Sequence, residues 1–175
     1  VPMRDEQRRA LSEPNTGMAV IIDLALDGIH PANKIDVAER LARWPLARDY
    51  GRDIAVSGPL FSRAKATGTS ITAYFEHADG LIIGAKTDLQ PTKLIPGDQV
   101  KGFEVVGADG KWHVAKATIV GKTIVCSSPH VAAPLGVRYA WAPTMPKAFA
   151  WNLYNNAGLP ASPFISDPTL APYTP

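Results

Sequence analysis

The feature that most constrains the fold of this sequence is a change in hydrophobic periodicity at Gly58-Pro59. Before this point, apolar residues follow helical spacing around one continuous apolar run. After it, they occur in short alternating runs separated by turn residues, which is typical of strands. The sequence therefore predicts an α/β fold class for residues 1–58 and a β-rich, sandwich-like module for residues 59–145. Residues 146–175 are Pro-rich and are predicted to form an irregular surface tail.

Residues 1–58 are predicted to fold as helix, strand, loop and helix. Residues 3–12 are helix formers and precede a turn that contains Pro14. Residues 18–22 are all apolar, which predicts a strand buried on both faces, as in a parallel sheet covered by helices. One strand cannot form such a layer alone, so the missing strands are expected on another segment. The sequence also begins with Val-Pro inside a predicted helix, which indicates a piece of a longer polypeptide.

The second predicted helix has a recognisable start. Asn33 can accept a hydrogen bond as its N-cap, and the negative charge of Asp36 suits its first turn. The arginines of this helix, Arg40 among them, are expected to point away from its buried face. Pro45 predicts a kink or a restart. Helical spacing predicts a buried apolar face made of Val37, Ala38, Leu41, Ala42 and Trp44.

Short apolar runs define the predicted strands of the β-rich module. Asp109-Gly110 separates two of them and is a typical hairpin signal. The single cysteine, Cys126, falls in another of these runs and is expected in the core. One cysteine excludes an intrachain disulfide. The predicted strands cover residues 103–106, 112–115, 117–120, 123–127 and 137–141.

Charge and hydropathy argue against two classes of partner. The chain carries 18 Lys and Arg against 16 Asp and Glu, a net charge of +2 at pH 7, with no basic run. Nucleic acid is therefore not an expected partner. No apolar stretch approaches the ~20 residues that a transmembrane helix needs, so no membrane span is expected.

One predicted loop contains Asp27 and His30, followed directly by Pro31. The three-residue spacing lets a tight loop fold the carboxylate back onto the imidazole. A histidine oriented by a carboxylate is half of a nucleophilic hydrolase site. No serine of the sequence lies in the elbow motif that would mark the nucleophile. The alternative interpretation is an incidental Asp and His on a solvated loop.

Four segments, in this order, resemble the C-terminal part of the sialate O-acetylesterase family. They lie between residues 14 and 167, so the resemblance spans most of the chain. Each match alone is short, and their shared order makes the resemblance specific. The segments are Pro-Asn-Thr-Gly-Met-Ala-Val at residues 14–20, Ile-His-Pro with Asn33 and Lys34 at residues 29–34, Val-Arg-Tyr-Ala-Trp at residues 137–141, and residues 152–164.

The resemblance implies a carbohydrate esterase of the SGNH-hydrolase type, which removes O-acetyl groups from sialic acids or plant cell-wall glycans. Residues 1–58 would then be the C-terminal part of a three-layer SGNH-hydrolase domain. By this match His30 is the catalytic histidine and Asp27 is its acid, with Asp23 as the fallback. The nucleophilic serine is expected on an N-terminal portion of the same enzyme, because its Gly-Gln-Ser motif is absent from this sequence.

The resemblance also implies export, since enzymes that act on such glycans are usually exported. No cofactor or metal is expected, because one Asp and one His are too few ligands for zinc. Sialic acid, xylan and xyloglucan acetates all remain candidate substrates. The competing interpretation is a non-catalytic β-sandwich that binds glycan or braces a partner domain. Arg138, Tyr139 and Trp141 are predicted to be structural, although such residues also suit a sugar-binding surface.

Overall fold

The computed structural model describes residues 2–24, 30–97, 99–142 and 151–170 of the 175 in the chain. Within these ranges the chain forms two α-helices followed by eleven short strands. None of the described helices combines the length and the hydropathy that crossing a membrane requires.

Helix α1 (Pro2–Arg9) tightens into a 3₁₀ turn at Ala10–Ser12. Asp5 lies near the positive end of the helix dipole, and Arg8 and Arg9 lie near its negative end. The buried Asp5 carboxylate accepts hydrogen bonds from Arg8 Nη2 at 2.7 Å and from Arg9 Nε at 2.9 Å. The helix predicted over residues 3–12 is confirmed, with its last turn in 3₁₀ form.

The apolar run at residues 18–22 is not a strand, so that prediction is wrong for the described residues. Only Val20 is buried within the run, and its neighbours are half-buried. The reason lies in the hydrogen bonds of the run. The carbonyls of Met18 and Val20 accept from the side chains of Trp44 at 2.9 Å and Arg40 at 2.6 Å instead of from a neighbouring strand.

Helix α2 (Lys34–Arg48) begins as predicted, because Asn33 Oδ1 accepts from the Asp36 backbone N–H at 3.0 Å. It continues through Pro45 without a restart. Its C-terminal end is closed by the Asp49 N–H, which donates to the Pro45 carbonyl at 2.8 Å.

The buried face of α2 differs from the predicted one. Trp44 is buried as expected, and a side chain at Gly17 would collide with its indole ring. Arg40, expected to point away from the core, is the other buried residue of the helix. It is buried because it pairs with Asp23, which orients the helix by charge rather than by apolar contact. The rest of the predicted face is exposed or half-buried, namely Val37, Ala38, Leu41 and Ala42.

Eleven strands make up most of the remaining described chain. They are β1 (Leu60–Thr67), β2 (Ser70–Glu76), β3 (Ile82–Ala85), β4 (Lys93–Leu94), β5 (Phe103–Val106), β6 (Trp112–Val114), β7 (Lys116–Val120), β8 (Thr123–Ser127), β9 (Gly136–Tyr139), β10 (Leu153–Tyr154) and β11 (Phe164–Ile165).

The strands form three antiparallel sheets, with orders β1-β2-β8-β7, β10-β3-β4 and β11-β9-β5-β6. The two four-stranded sheets contribute to one hydrophobic core. Ala73 and Ile124 from the first sheet are fully buried in it, as are Val105 and Phe164 from the other. Two antiparallel sheets that share a core agree with the predicted sandwich-like module. The three-layer SGNH domain stays a prediction.

The Asp109-Gly110 hairpin is confirmed. It joins β5 to β6, with Val106 opposite Trp112. Gly110 has a φ of +70°, a conformation that glycine adopts without a steric penalty. Cys126 is fully buried in the core, also as predicted.

The predicted irregular surface tail is wrong for residues 151–170. Two-residue strands β10 and β11 extend the sheets, and Tyr154 and Ile165 are buried within them. The Phe164 ring stacks on that of Phe61, with ring centroids 4.1 Å apart. Strands this short show no alternation in the sequence, so periodicity could not reveal them.

The predicted boundary at residues 58–59 packs against this tail. Ser162 donates its backbone N–H to the Pro59 carbonyl at 3.1 Å, and Asn155 Nδ2 donates to the Ser57 carbonyl at 2.9 Å. A Cβ at Gly58 would collide with the Pro160 backbone. The division into residues 1–58, 59–145 and 146–175 as separate units stays a prediction.

Candidate active site

His30 is exposed at a bend, directly before the buried Pro31. Asp27 belongs to residues 25–29, which lie outside the described residues. The proposed Asp27–His30 contact therefore stays a prediction. The structure instead shows how the chain is held on either side of this loop.

On the upstream side, Asp23 and Arg40 form a buried two-pronged ion pair. Arg40 Nη1 donates to Asp23 Oδ1 at 2.6 Å and Nη2 donates to Oδ2 at 2.9 Å. The two side chains are only 3% and 7% exposed. Arg40 Nη1 also donates to the Val20 carbonyl at 2.6 Å. A planar guanidinium in this arrangement fixes orientation as well as distance, so α2 holds the chain just before the loop.

The β-rich part of the chain reaches the same carboxylate. The Tyr154 hydroxyl donates to Asp23 Oδ2 at 3.3 Å, and the neighbouring Tyr139 hydroxyl accepts from the Leu153 N–H at 3.3 Å. Burial raises the pKa of Tyr154, and the negative charge of Asp23 raises it further. Burial likewise raises the pKa of Tyr139. Both phenols therefore stay protonated, and Tyr154 remains a donor to Asp23.

These contacts decide what Asp23 does in the described structure. Both of its oxygens accept hydrogen bonds from Arg40 and Tyr154. Asp23, the fallback acid implied by the family resemblance, thus anchors this part of the chain to α2 and to β10. The assignment of the acid to Asp27, with Asp23 as the fallback, stays a prediction.

On the downstream side, the first turn of α2 is fastened to the β-rich module. Asn33 caps the helix and donates from Nδ2 to the Asp88 carbonyl at 2.9 Å. Lys86 Nζ pairs with Asp36 Oδ2 at 2.6 Å, and these side chains are 5% and 14% exposed. The loop that carries His30 is therefore bounded by anchors to α2 and to the β-rich module on both sides.

The other histidines and the buried serines make no second site. His77 and His113 are half-buried and His130 is exposed, as expected for ordinary histidines. Ser57 and Ser128 bury hydroxyls for which the described residues offer no hydrogen-bond partner. Neither is presented at a strand-to-helix elbow, so neither has the setting of an activated nucleophile.

Two further groups are inert or structural. Burial raises the pKa of Cys126, so its thiol stays protonated and unreactive. Arg138 donates from Nε to Glu104 Oε2 at 2.8 Å, and its guanidinium lies 4.3 Å from the centre of the Trp112 ring. Tyr139 is fully buried. This agrees with the structural role predicted for Arg138 and Tyr139.

Among the described residues, no cluster of three or more His, Cys, Asp or Glu could hold a metal ion.

Sequence reasoning missed three of the anchoring residues. The sequence places Arg40 off the buried face of its helix, and no pattern in it points to Lys86 or Tyr154 as a partner of these residues. Tyr154 lies 131 residues from its partner Asp23. No local pattern reports a contact of that length. The Asn33 cap, whose partner is three residues away, was found.

No family model and no curated protein matches this chain. A solved structure does match, a novel carbohydrate acetylesterase from Xanthomonas citri, with a TM-score of 0.80 and 36% sequence identity. The match covers 94% of this chain and 35% of that protein, so the chain spans about a third of its length. The fold of this chain is therefore shared with part of that protein.

Proposed function

We propose that this chain is part of a serine carbohydrate O-acetylesterase and supplies its catalytic histidine and acid. One observation carries the proposal: an exposed His30 on a doubly anchored loop, in a chain matched over 94% of its length by an acetylesterase at 36% identity. His30 is the base, Asp27 is the acid, and a segment outside residues 1–175 provides the serine.

In this proposal His30 accepts the serine proton as the serine oxygen attacks the acetyl carbonyl carbon. The imidazolium then returns the proton to the sugar oxygen as the sugar leaves. Water hydrolyses the acetyl-enzyme by the same proton path, which releases acetate. Asp27 holds the imidazole tautomer and stabilises the imidazolium.

The geometry of Asp23 supports Asp27 as the acid. Asp23 is 3% exposed, and hydrogen bonds from Arg40 and Tyr154 already occupy three of the roughly four acceptor positions of its carboxylate. Asp23 is also paired with a permanent cation, so it is a weaker acceptor for a second one.

Exposed apolar residues in the first region support a partner segment that carries the nucleophile. Ile35, Leu41 and Leu46 of α2 are 56%, 50% and 38% exposed. In the apolar run at residues 18–22, every residue except the buried Val20 is half-buried. Such a surface suits the remaining layers of an SGNH-hydrolase domain, built by an N-terminal portion of the same enzyme.

The substrate proposed is an acetylated glycan, with sialic acids and cell-wall glycans as the candidate classes. Export to the periplasm or the extracellular space follows as a proposal from that substrate class. The alternative function is a non-catalytic module that binds glycan or braces a catalytic domain. In that case the protein would need no chemistry from His30.

The test is acetate release by the full-length protein that contains this chain, with and without His30→Ala. We expect turnover to fall by roughly 10⁴-fold or more, because a triad without its base retains little activity. His130→Ala is the matched control, since it removes an exposed histidine from the β8–β9 connection. Equal activity of His30→Ala and the wild type would sink the assignment and favour the bracing module.

A further inference from the structure

The loop between β3 and β4, residues 86–92, projects from the β-rich module toward α2. Thr87, Asp88, Leu89 and Gln90 are all exposed in it. The Gln90 N–H donates to the Thr87 carbonyl at 2.9 Å, which closes a tight turn. Asp88 has a φ of +45°, so the turn adopts a defined and less common backbone conformation.

Two contacts fasten this β3–β4 loop to the first turn of α2. Lys86 Nζ bonds both the Asp36 carboxylate and the Gln90 carbonyl, each at 2.6 Å. Asn33 Nδ2 holds the Asp88 carbonyl at 2.9 Å. Lys86 and Asp88 are therefore tied directly to the first turn of α2, and Gln90 is tied to it through Lys86. A nearly buried ion pair adds little net stability, but it fixes the positions of the groups around it.

The same helix turn follows His30 directly. Asn33 lies three positions after His30, which is at most about 11 Å of extended chain. The exposed turn is thus tied, through Asn33, to the segment that carries the proposed catalytic histidine, at a separation that a short oligosaccharide could span. Rigidly held loops beside a catalytic group commonly determine what binds there.

We propose that the β3–β4 loop forms one wall of the substrate site and that Leu89 packs against a sugar ring adjoining the acetylated one. The inference rests on the proposed function and adds the part of the substrate that is recognised. Leu89 is 54% exposed on a turn whose other residues are polar. The apolar C–H face of a sugar ring is the group that would cover it. The site thereby prefers acetylated oligosaccharides to small acetyl esters.

The test compares Leu89→Ala with the wild type in the full-length protein. The substrates are p-nitrophenyl acetate and partially acetylated oligosaccharides from xylan and xyloglucan. We expect KM for the oligosaccharides to rise about 5- to 10-fold with kcat unchanged, because the lost contact is remote from the reacting bond. Both constants for p-nitrophenyl acetate should stay at the wild-type values.

Leu135→Ala is the matched control, because Leu135 is similarly exposed at 61% but lies in the connection before β9. Leu135→Ala should leave kcat and KM for both substrates at the wild-type values. An unchanged oligosaccharide KM in Leu89→Ala, or an equal loss on both substrates, would overturn the inference. So would a wild type that cleaves p-nitrophenyl acetate but no oligosaccharide. These results leave the His30 assignment standing, whereas an active His30→Ala variant removes the proposed function itself.

Discussion

Residues 2–58 and the β-rich part of the chain, residues 60–142 and 151–170, are held together by different interactions. Leaving proline and glycine aside, only Val20, Leu24 and Trp44 are buried apolar residues in the described part of the first region. The other buried apolar residues of the described chain, again without proline and glycine, lie at or beyond Leu60. The buried charged residues show the opposite distribution, since Asp5 and Arg40 both belong to the first region.

The two regions therefore contribute differently: the β-rich part supplies most of the stability, and the ion pairs of the first region fix positions. Apolar burial provides most of the free energy of folding, and the β-rich part has nearly all of it. Buried ion pairs add little net stability but tolerate only one geometry. Arg40 of the first region and Tyr154 of the β-rich part therefore fix the chain at Asp23, while the first region draws its stability from its neighbours.

Phe164→Ala tests whether the C-terminal segment belongs to the stable core. Phe164 is fully buried and stacks on Phe61 at 4.1 Å. The variant should lose about 4 kcal/mol of unfolding free energy, because a large buried ring is replaced by a cavity. Urea denaturation followed by intrinsic fluorescence measures the loss.

Val114→Ala is its control, because Val114 is 78% exposed on β6. That variant should stay within about 0.5 kcal/mol of the wild type. If Phe164→Ala were as stable as Val114→Ala, the tail would be an accessory to the core rather than part of it. In that case β11 would not belong to the stable core of the β-rich part.

Arg40→Met tests the first region. The variant keeps the volume of the side chain but leaves the Asp23 carboxylate buried without its cation. We expect a loss of about 3 kcal/mol, with faster hydrogen exchange at residues 18–24 than in β5 or β8. Urea denaturation and exchange mass spectrometry together measure both effects.

Two further variants show whether charge is the cause. Asp23→Leu combined with Arg40→Met should recover much of the lost stability, since an apolar pair can replace a buried ion pair. Arg43→Met, which removes a hydrogen bond to the exposed Ala55 carbonyl, should cost far less. A double variant no more stable than Arg40→Met alone would contradict the charge-pair account.

The two regions also differ in how well the sequence predicts them. In the β-rich module, alternation and turn residues found β5, β8 and the Asp109-Gly110 hairpin, because each depends on near neighbours. In the first region, the Asn33 cap was found for the same reason. Residues 18–22 were predicted as a strand because composition reports apolarity and not the hydrogen-bond partner.

The candidate site follows the same rule. The local motif singles out His30 as the candidate base, and His30 is exposed in the structure, while its catalytic role stays a prediction. Arg40 looked like a surface residue because its partner Asp23 lies 17 residues away. The Lys86–Asp36 pair joins two regions of different periodicity, and no pattern within either region predicts it. Long-range polar contacts fix the described chain on both sides of residues 25–29, and hydrophobic periodicity does not report such contacts.

Tyr154→Phe probes the point where the two regions meet. At neutral pH the variant should lose only about 1 kcal/mol, since it removes one long hydrogen bond to the Asp23 carboxylate. Its larger signature is at high pH. The pKa of Tyr154 in the folded protein lies above the ordinary value of 10.0, so this phenol stays protonated when the unfolded one ionises. Stability that is fully present below pH 10 is therefore lost as the pH rises above it.

The same holds for Tyr139, so each phenol contributes a slope of up to about 1.4 kcal/mol per pH unit above pH 10. Urea denaturation at pH values from about 8 to 11.5, on either side of the ordinary tyrosine pKa of 10.0, measures that slope. Tyr154→Phe and Tyr139→Phe should each reduce this slope by the contribution of one tyrosine. An alkaline slope equal to that of the wild type in Tyr154→Phe would mean that Tyr154 ionises in the folded protein. The β-rich part would then hold Asp23 through a weaker contact than the geometry indicates, and Arg40 alone would position the start of the loop.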